Sequence, residues 1–266
     1  MDSNKEKAVK NFGHLIDVLN ELREKCPWDK KQTVESLRQL TIEETFELSD
    51  AILSKEVAEI KKELGDILLH IVFYSRIATE KEWFTLNDVI ETLIKKLKHR
   101  HPHIYGDVEA NDSKTVEENW EKIKLKEKDR EKRVLSGVPS GLPPMIKAFR
   151  IQQKARGVGF DWEYREQVWD KVQEELNELT YEFNNPENST EKIESEFGDL
   201  MFAMINAGRL YGIDPEKALE MTNRKFIQRF NYLEEQTLLK GKDLHNMTLD
   251  EMEAIWQEAK KIENNE

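Results

Sequence analysis

Two short acidic segments, each with carboxylates three residues apart, constrain this chain more than any other feature. Glu175 and Glu178 form the first segment, and Glu196 and Asp199 form the second, at the head of the apolar run 200–205. Residues three apart share one face of a helix, so each segment points two carboxylates in one direction. If the two helices pack side by side, we expect the four carboxylates to converge.

A cluster of four carboxylates requires a cation. Partly removed from water, such charges would repel one another too strongly to persist alone. Oxygen ligands of this kind suit Mg²⁺ or Mn²⁺, which also bind substrate phosphates. A single acidic pair is equally typical of a solvated helix face, because 53 of the 266 residues are Asp or Glu. The interpretation therefore depends on whether the arrangement recurs.

The arrangement does recur in the first half of the chain. Each half has a tryptophan upstream of the acidic segments, the two segments themselves, a basic pair four residues apart, and a closing tryptophan. The first half supplies Trp28, Glu44 with Glu47, Glu63 with Asp66, Lys96 with Arg100, and Trp120; the second supplies Trp162, the four carboxylates above, Lys225 with Arg229, and Trp256. This shared order predicts a tandem duplication of a four-carboxylate helical unit.

The spacing of apolar residues predicts an all-α fold. Helical periodicity covers residues 12–23, 34–53, 60–77, 86–99, 116–133, 145–156, 168–183, 193–210, 215–233 and 249–262, and no stretch sustains a period of two. The segment 136–144 is rich in Gly, Pro and Ser and poor in apolar residues, as linkers are. We therefore expect a helical domain over residues 1–135, a linker over 136–144, and a second helical domain over 145–266.

Composition excludes several classes of partner. The net charge of −12 opposes nucleic-acid binding, which needs a basic surface. The most apolar stretch, residues 67–74, is too short to span a bilayer, and the first residues lack the apolar core of a signal peptide. A single cysteine, Cys26, fits a reducing compartment. These features predict a cytoplasmic protein with no nucleic-acid or membrane partner.

Several motifs beyond the carboxylates are similar to those of one family. The chain closely resembles the MazG nucleoside triphosphate pyrophosphohydrolases, whose signature is ExxE followed by ExxD on the next helix. The resemblance covers nearly the whole chain and is carried by Cys26-Pro27-Trp28-Asp29, Thr41-Ile42-Glu43-Glu44-Thr45, Glu63-Leu64-Gly65-Asp66-Ile67-Leu68, Arg100-His101-Pro102-His103 and Val158-Gly159-Phe160-Asp161-Trp162. The carboxylate motif alone is shared with all-α dUTP pyrophosphatases and phosphoribosyl-ATP pyrophosphatases.

The resemblance implies tandem four-helix-type domains that dimerise and an Mg²⁺-dependent hydrolase, with Mn²⁺ able to substitute. The expected reaction converts a nucleoside or deoxynucleoside triphosphate and water to the monophosphate and pyrophosphate. Broad base tolerance would fit the removal of non-standard nucleotides. Two alternatives stay open, namely a narrow dUTP-type pyrophosphatase and a helical module that senses nucleotides without turnover. The apolar runs 67–74 and 200–205 are expected to be buried between subunits or between the two halves.

The site residues follow from the motif positions. The metal ligands are expected to be Glu175, Glu178, Glu196 and Asp199, and the general base is Glu174 or one of these four. After this set, a second set of metal ligands is expected in the first half, at Glu44, Glu47, Glu63 and Asp66. Substrate contacts are expected from Lys171, Glu174, Lys225, Arg229 and Trp256. Because Leu40 stands where the second half has Lys171, we expect the second half to be the main catalytic site.

Overall fold

The structure, a computed structural model, describes residues 3–106, 133–185, 189–239 and 241–263, with isolated positions between 107 and 132. In this part of the chain all regular structure is helical: there are ten α-helices and no β-strand. The predicted all-α fold is therefore confirmed. The predicted charged helix over residues 116–133 lies mostly outside the described residues.

The chain separates into two compact units, residues 1–120 and 121–266. The domain and linker boundaries expected from the sequence stay a prediction. Five helices belong to the first unit: α1 (Ser3–Lys25), α2 (Val34–Ser54), α3 (Val57–Glu80), α4 (Leu86–Arg100) and α5 (Pro102–Tyr105). Five belong to the second: α6 (Pro144–Arg156), α7 (Val168–Asn184), α8 (Thr190–Leu210), α9 (Pro215–Leu239) and α10 (Leu249–Glu263).

In the first unit, α2 packs along α3, and α1 and α4 also contact α3. The core between them is formed by Leu19, Leu37, Val72, Phe73 and Ile77, each at most 3% exposed. A capping box begins α2, where the Thr33 side chain accepts from the Ser36 backbone and the Ser36 side chain accepts from the Thr33 backbone. The helix pair that carries the first acidic set is therefore anchored by both packing and capping.

In the second unit, α7 packs along α8, α6 contacts α8, and α9 packs on α10. Small buried residues on α8, Ala203 and Ala207, allow neighbouring helices to approach closely. The Gln152 side chain on α6 donates to the Phe202 carbonyl at 2.9 Å. Arg209 near the end of α8 donates to both carboxylate oxygens of Asp161 in the loop before α7, with Nη1 3.0 Å from Oδ2. These polar contacts fix α8 relative to the segments around α7.

The helices match the predicted segments but extend further at several ends. α1 begins at Ser3, nine residues before the first apolar position of its predicted period, and α9 continues to Leu239. Polar residues with good helix propensity extend a helix without contributing to an apolar pattern. The apolar runs are only partly buried in the chain, since Ile71 and Met201 are each 43% exposed while Phe73 and Ile205 are buried. Their burial between subunits stays a prediction.

Candidate metal and nucleotide site

In the second unit, three carboxylates meet between α7 and α8. Oxygen atoms of Glu175, Glu196 and Asp199 all lie within 4.8 Å of one another. Glu175 is buried, Glu196 is half-buried and Asp199 is exposed, so the cluster opens to solvent on the α8 side. Within the described residues, Glu178 is not among the carboxylates of this group, although it is one turn from Glu175. The structure thus brings together three of the four predicted ligands.

The first unit repeats this geometry between α2 and α3. Oxygen atoms of Glu44, Glu63 and Asp66 also lie within 4.8 Å of one another. Glu63 is buried at 3% exposure, whereas Glu44 and Asp66 are half-buried. Glu47 is the position equivalent to Glu178, and in the described part of the chain it too stands outside the close group. The duplication inferred from sequence therefore extends to the geometry of the two clusters.

Both clusters raise the pKa of a member. Burial, followed by the charges of Asp66, Glu47 and Glu63 and a hydrogen-bonding contact with Glu63, raises the pKa of Glu44. A bound cation would relieve the repulsion between these carboxylates.

The pKa of Glu196 is raised for the same reasons. Burial is the largest cause, and the charges of Glu178, Asp199 and Glu175 add to it. Glu178 is thus close enough to influence the cluster electrostatically although its oxygens lie outside the tight group.

A lysine contacts the buried carboxylate in each cluster. On α7, the Lys171 ammonium lies 2.7 Å from Glu175 and 2.8 Å from Glu174. These carboxylates raise the pKa of Lys171, so it stays charged. On α3, the Lys62 ammonium lies 2.8 Å from Glu63.

The donor set fits a divalent cation. Carboxylate oxygens from two adjacent helices are the ligands that Mg²⁺ and Mn²⁺ take in proteins. Glu63 supports this, because its Oε2 is buried and, with the neighbouring carboxylates ionised, has no hydrogen-bond donor among the residues that the structure describes. A buried acceptor without a donor is costly, and a cation bound there would satisfy it.

The other expected substrate contacts lie on α7, α9 and α10. Glu174 is exposed and paired with Lys171, and Lys225 is exposed on α9. Arg229 is already engaged, since its Nε lies 2.7 Å from Glu263 Oε2 and its guanidinium carbon lies 5.8 Å from the centre of the Trp256 ring. Their contact with a nucleotide stays a prediction, and Arg229 would have to release Glu263 to bind a phosphate.

Trp256 is half-buried and packs against its own unit. Its ring centre lies 5.0 Å from that of Phe226 in a tilted arrangement. One face or edge is therefore taken by packing, and base stacking would have to use the remainder of the ring. The stacking role expected for Trp256 stays a prediction.

Sequence reasoning missed two residues beside the α2–α3 cluster. The sequence pattern did not identify Lys62, because residues adjacent in sequence lie on different faces of a helix. His70 is one turn beyond Asp66, is 6% exposed, and its Nδ1 has no hydrogen-bond partner among the described residues. The signal that could have found His70 is a lone imidazole inside the apolar run 67–74.

An all-α protein with two carboxylate clusters between paired helices has the donor arrangement of helical proteins that hold divalent cations. No helix in the described part of the chain is long and apolar enough to cross a membrane. The MazG nucleotide pyrophosphohydrolase domain profile matches residues 32–105, which include the α2–α3 cluster.

Full-length relatives extend this likeness to the second unit. The chain is 42% identical over 252 residues to the nucleoside triphosphate pyrophosphohydrolase/pyrophosphatase MazG of Thermotoga maritima, covering 94% of this chain and 95% of the relative. It is 37% identical over 260 residues to the nucleoside triphosphate pyrophosphohydrolase of Escherichia coli K12, covering 96% and 99%. It is also 42% identical over 262 residues to the uncharacterized protein YabN of Bacillus subtilis, covering 95% of this chain and 52% of YabN.

The chain therefore belongs to the MazG family. Membership in this family of pyrophosphohydrolases makes it a hydrolase that acts on phosphoanhydride bonds.

Proposed function

We propose that this chain is an Mg²⁺-dependent nucleoside triphosphate pyrophosphohydrolase, in which Mn²⁺ can replace Mg²⁺. It converts a nucleoside or deoxynucleoside triphosphate and water to the monophosphate and pyrophosphate. The observation that carries the proposal is the convergence of Glu175, Glu196 and Asp199 beside the Lys171 ammonium. The names of the Thermotoga maritima and Escherichia coli relatives support the same reaction.

The cation would be held by Glu175, Glu196 and Asp199, with Glu178 as the fourth expected ligand. When bound, such an ion neutralises phosphate charge and activates a water for attack on phosphorus. Lys171 pairs with Glu175 and would add a positive charge next to the phosphates. A carboxylate must accept the proton of the water, and we propose Glu174 or one of the cluster carboxylates for this role.

The remainder of the substrate would be bound by α9 and α10. Lys225 and Arg229 lie four residues apart on α9 and would contact phosphate oxygens, and Trp256 would contact the base. Because the recognition that the clusters offer is directed at phosphates, we propose broad base tolerance and a role in removing non-standard nucleotides. A narrow dUTP-type pyrophosphatase is the enzymatic alternative.

We propose that the α7–α8 cluster is the main catalytic site. Lys171 contacts both Glu174 and Glu175 from the first helix of the pair, where the α2–α3 pair has Leu40. The lysine of the α2–α3 cluster, Lys62, comes from the second helix and contacts Glu63 alone among the cluster members.

We also propose a homodimer formed through the partly exposed apolar faces of α3 and α8, in which Ile71 and Met201 would become buried. We further propose a cytoplasmic enzyme that binds neither nucleic acid nor membranes, since the net charge of −12 opposes nucleic-acid binding and a single cysteine fits a reducing compartment.

Product analysis tests the reaction. Purified protein is incubated with ATP, dTTP and dUTP, with and without Mg²⁺, and the products are separated by ion-exchange chromatography. Monophosphate plus pyrophosphate, formed only with the cation, is the expected result. Diphosphate plus orthophosphate would contradict the proposed bond cleavage, and cleavage of dUTP alone would favour the narrow alternative. Cation-dependent binding without turnover would favour the sensing module.

Matched variants test the site. Glu196→Gln removes one cluster charge while keeping the size of the side chain. Turnover should fall about a hundredfold or more, since the loss of a residue that merely supports a metal ligand already costs about 10–100-fold. Glu194→Gln is the control, because Glu194 is exposed on the same helix and is not part of the cluster. Equal activity of the two variants would refute the assignment.

A further inference from the structure

Arg229, one of the expected phosphate contacts, is paired with a carboxylate of its own unit. Its Nε lies 2.7 Å and its Nη2 lies 2.6 Å from Oε2 of Glu263 on α10. The side chain of Arg229 is 20% exposed and that of Glu263 is 26% exposed, so the pair is shielded from much of the solvent. A phosphate that binds Arg229 must therefore displace this carboxylate.

Lys225 has the same expected role as Arg229, but its surroundings differ. It lies one turn earlier on α9, it is exposed, and it forms no ion pair among the residues that the structure describes. A phosphate would reach Lys225 directly, whereas it reaches Arg229 only by exchange with Glu263. Two neighbouring basic residues on one helix are thus differently available to a substrate.

The exchange at Arg229 favours a phosphate over the carboxylate. Both guanidinium contacts go to one oxygen of Glu263, whereas a guanidinium binds best through two parallel hydrogen bonds to two oxygens. A phosphate group offers separate oxygens for these two bonds. Glu263 can leave by rotation about the torsions of its own side chain, so the exchange does not require α10 to move.

Trp256 keeps the Arg229 side chain near α10 during such an exchange. The guanidinium carbon of Arg229 lies 5.8 Å from the centre of the Trp256 ring, which is a cation–π distance. Trp256 and Glu263 are seven residues apart, and residues at this spacing share one face of a helix. The ring contact does not depend on the carboxylate, so Arg229 retains it when Glu263 leaves.

The first half of the sequence has the same three residue types in the same relation. Arg100 corresponds to Arg229, and Trp120 corresponds to Trp256. Glu127 follows Trp120 by seven residues, as Glu263 follows Trp256. Residue 127 lies outside the described residues, so only its position in the sequence is compared. Both halves therefore keep an acidic residue at the spacing that brings Glu263 to Arg229.

We propose that Glu263 is a positioning residue that acts through Arg229: it holds the guanidinium in the free protein and releases it when a triphosphate binds. This inference rests on the proposed function, which makes Arg229 a phosphate contact. It goes beyond that function by assigning a role to Glu263. Because the exchange is complete before the phosphoanhydride bond breaks, Glu263 raises the KM for the triphosphate and leaves kcat unchanged.

The first test is the variant Glu263→Gln, whose amide keeps the size of the side chain but has no charge. The KM for ATP with Mg²⁺ should fall by about threefold to tenfold, since the competing ion pair is lost, and kcat should change by less than about twofold. Isothermal titration calorimetry with the α,β-methylene analogue of ATP should show the same fall in Kd without hydrolysis. If Glu263 only oriented Arg229 for the phosphate, both constants would rise instead.

Glu258→Gln is the matched control, because it removes the same charge from the same helix. Glu258 is exposed, lies about 140° around α10 from Glu263, and forms no ion pair among the described residues. Its KM should stay within about twofold of the wild-type value. An equal fall in KM for Glu258→Gln would mean that the overall charge of α10 determines the KM, and the inference would be wrong.

Double variants show whether Glu263 acts through Arg229. Arg229→Met should raise the KM by about tenfold or more, the usual effect of losing a charge-assisted hydrogen bond. Adding Glu263→Gln to Arg229→Met should then change nothing, whereas adding it to Lys225→Met should still lower the KM. The same effect in both backgrounds would overturn the proposed exchange.

Failure of the inference and failure of the proposed function are distinguishable. If wild-type protein cleaves triphosphates with Mg²⁺ and Glu263→Gln has the wild-type KM, the inference is wrong and the proposed function stands. If wild-type protein neither cleaves nor binds a triphosphate, the proposed function fails and the inference fails with it. Circular dichroism and thermal unfolding of every variant establish that a changed KM does not reflect loss of folding.

Discussion

The ion pair between Arg209 and Asp161 offers a sharp test of how α8 is anchored. The side chain of Arg209 is 5% exposed and that of Asp161 is 19% exposed, and the guanidinium donates to both carboxylate oxygens. Asp161 also lies 3.9 Å from the more exposed Arg156. Asp161→Ala would leave the Arg209 guanidinium with one remaining side-chain acceptor, Asn206 Oδ1, 3.0 Å from its Nε. Removing one partner of a fully buried pair costs about 3 kcal/mol or more, and because Asp161 is only partly removed from water we expect a loss of about 2–3 kcal/mol.

This cost corresponds to a readily measured shift. For a cooperative unit the size of residues 121–266, the entropy of unfolding is about 0.3 kcal/mol/K, so a loss of about 2–3 kcal/mol lowers the unfolding midpoint by about 7–10 °C. Differential scanning calorimetry should show this shift in one transition, because the pair lies within the second unit. The transition of the first unit should be unchanged if the two units unfold independently.

Two further variants identify the cause. Glu163→Ala, in the same loop at an exposed position, should shift the midpoint by less than about 2 °C, as surface substitutions usually do. Adding Arg209→Met to Asp161→Ala should recover part of the loss, because the uncompensated charge is then gone. A loss below about 1 kcal/mol for Asp161→Ala, or no recovery in the double variant, would refute the reasoning that a buried guanidinium requires Asp161.

Three other expectations concern the clusters and the helix faces. Chelation of divalent cations should lower the unfolding midpoint, since a cation at a hundredfold excess over its Kd stabilises the folded state by about 2.7 kcal/mol. Scanning fluorimetry should show a smaller decrease for Glu196→Gln/Asp199→Asn than for the wild-type protein. Burial lowers the pKa of His70 despite the opposing charge of Asp66. The free energy of unfolding should therefore fall as the pH drops below the unfolded-state pKa of about 6.5, by at most about 1.4 kcal/mol per pH unit. Urea unfolding at pH 8 and pH 5.5 should show a smaller fall for His70→Gln than for the wild-type protein. Met201→Glu should shift the protein towards monomer in light scattering without lowering its unfolding midpoint, because Met201 is 43% exposed in the chain.

The fold could be predicted from the sequence, because the periodicity of apolar residues reflects which helix faces are buried, and the buried faces are those that pack together. The predicted segments correspond to the helices α1–α4 and α6–α10, and the errors lie at helix ends. Residues 3–11, which are mostly polar, join α1 although they bury nothing, so no hydrophobic pattern could have indicated them. Helix propensity and capping determine such ends, and both are weak local signals.

The candidate site could be predicted from the sequence only in part. The three-residue spacing predicts that carboxylates from two helices come together. Spacing cannot tell which three oxygens come closest, because residues three apart still differ by about 4.5 Å along the helix axis. Glu178 and Glu47 therefore stand outside the tight groups that Glu175 and Glu44 join. The partner of Glu63 was equally hidden, since the contact with Lys62 depends on side-chain torsions rather than on spacing along the helix.

The two units compensate the charge of a buried carboxylate in different ways. Lys171 on α7 contacts Glu175 in the second unit, and Lys62 on α3 contacts Glu63 in the first. A carboxylate removed from water needs a compensating positive charge whichever helix provides it, so the first unit can have Leu40 at the position equivalent to Lys171. The same three-residue spacing of carboxylates therefore leads to two clusters whose most buried member lies on the first helix of the pair in one unit and on the second helix in the other.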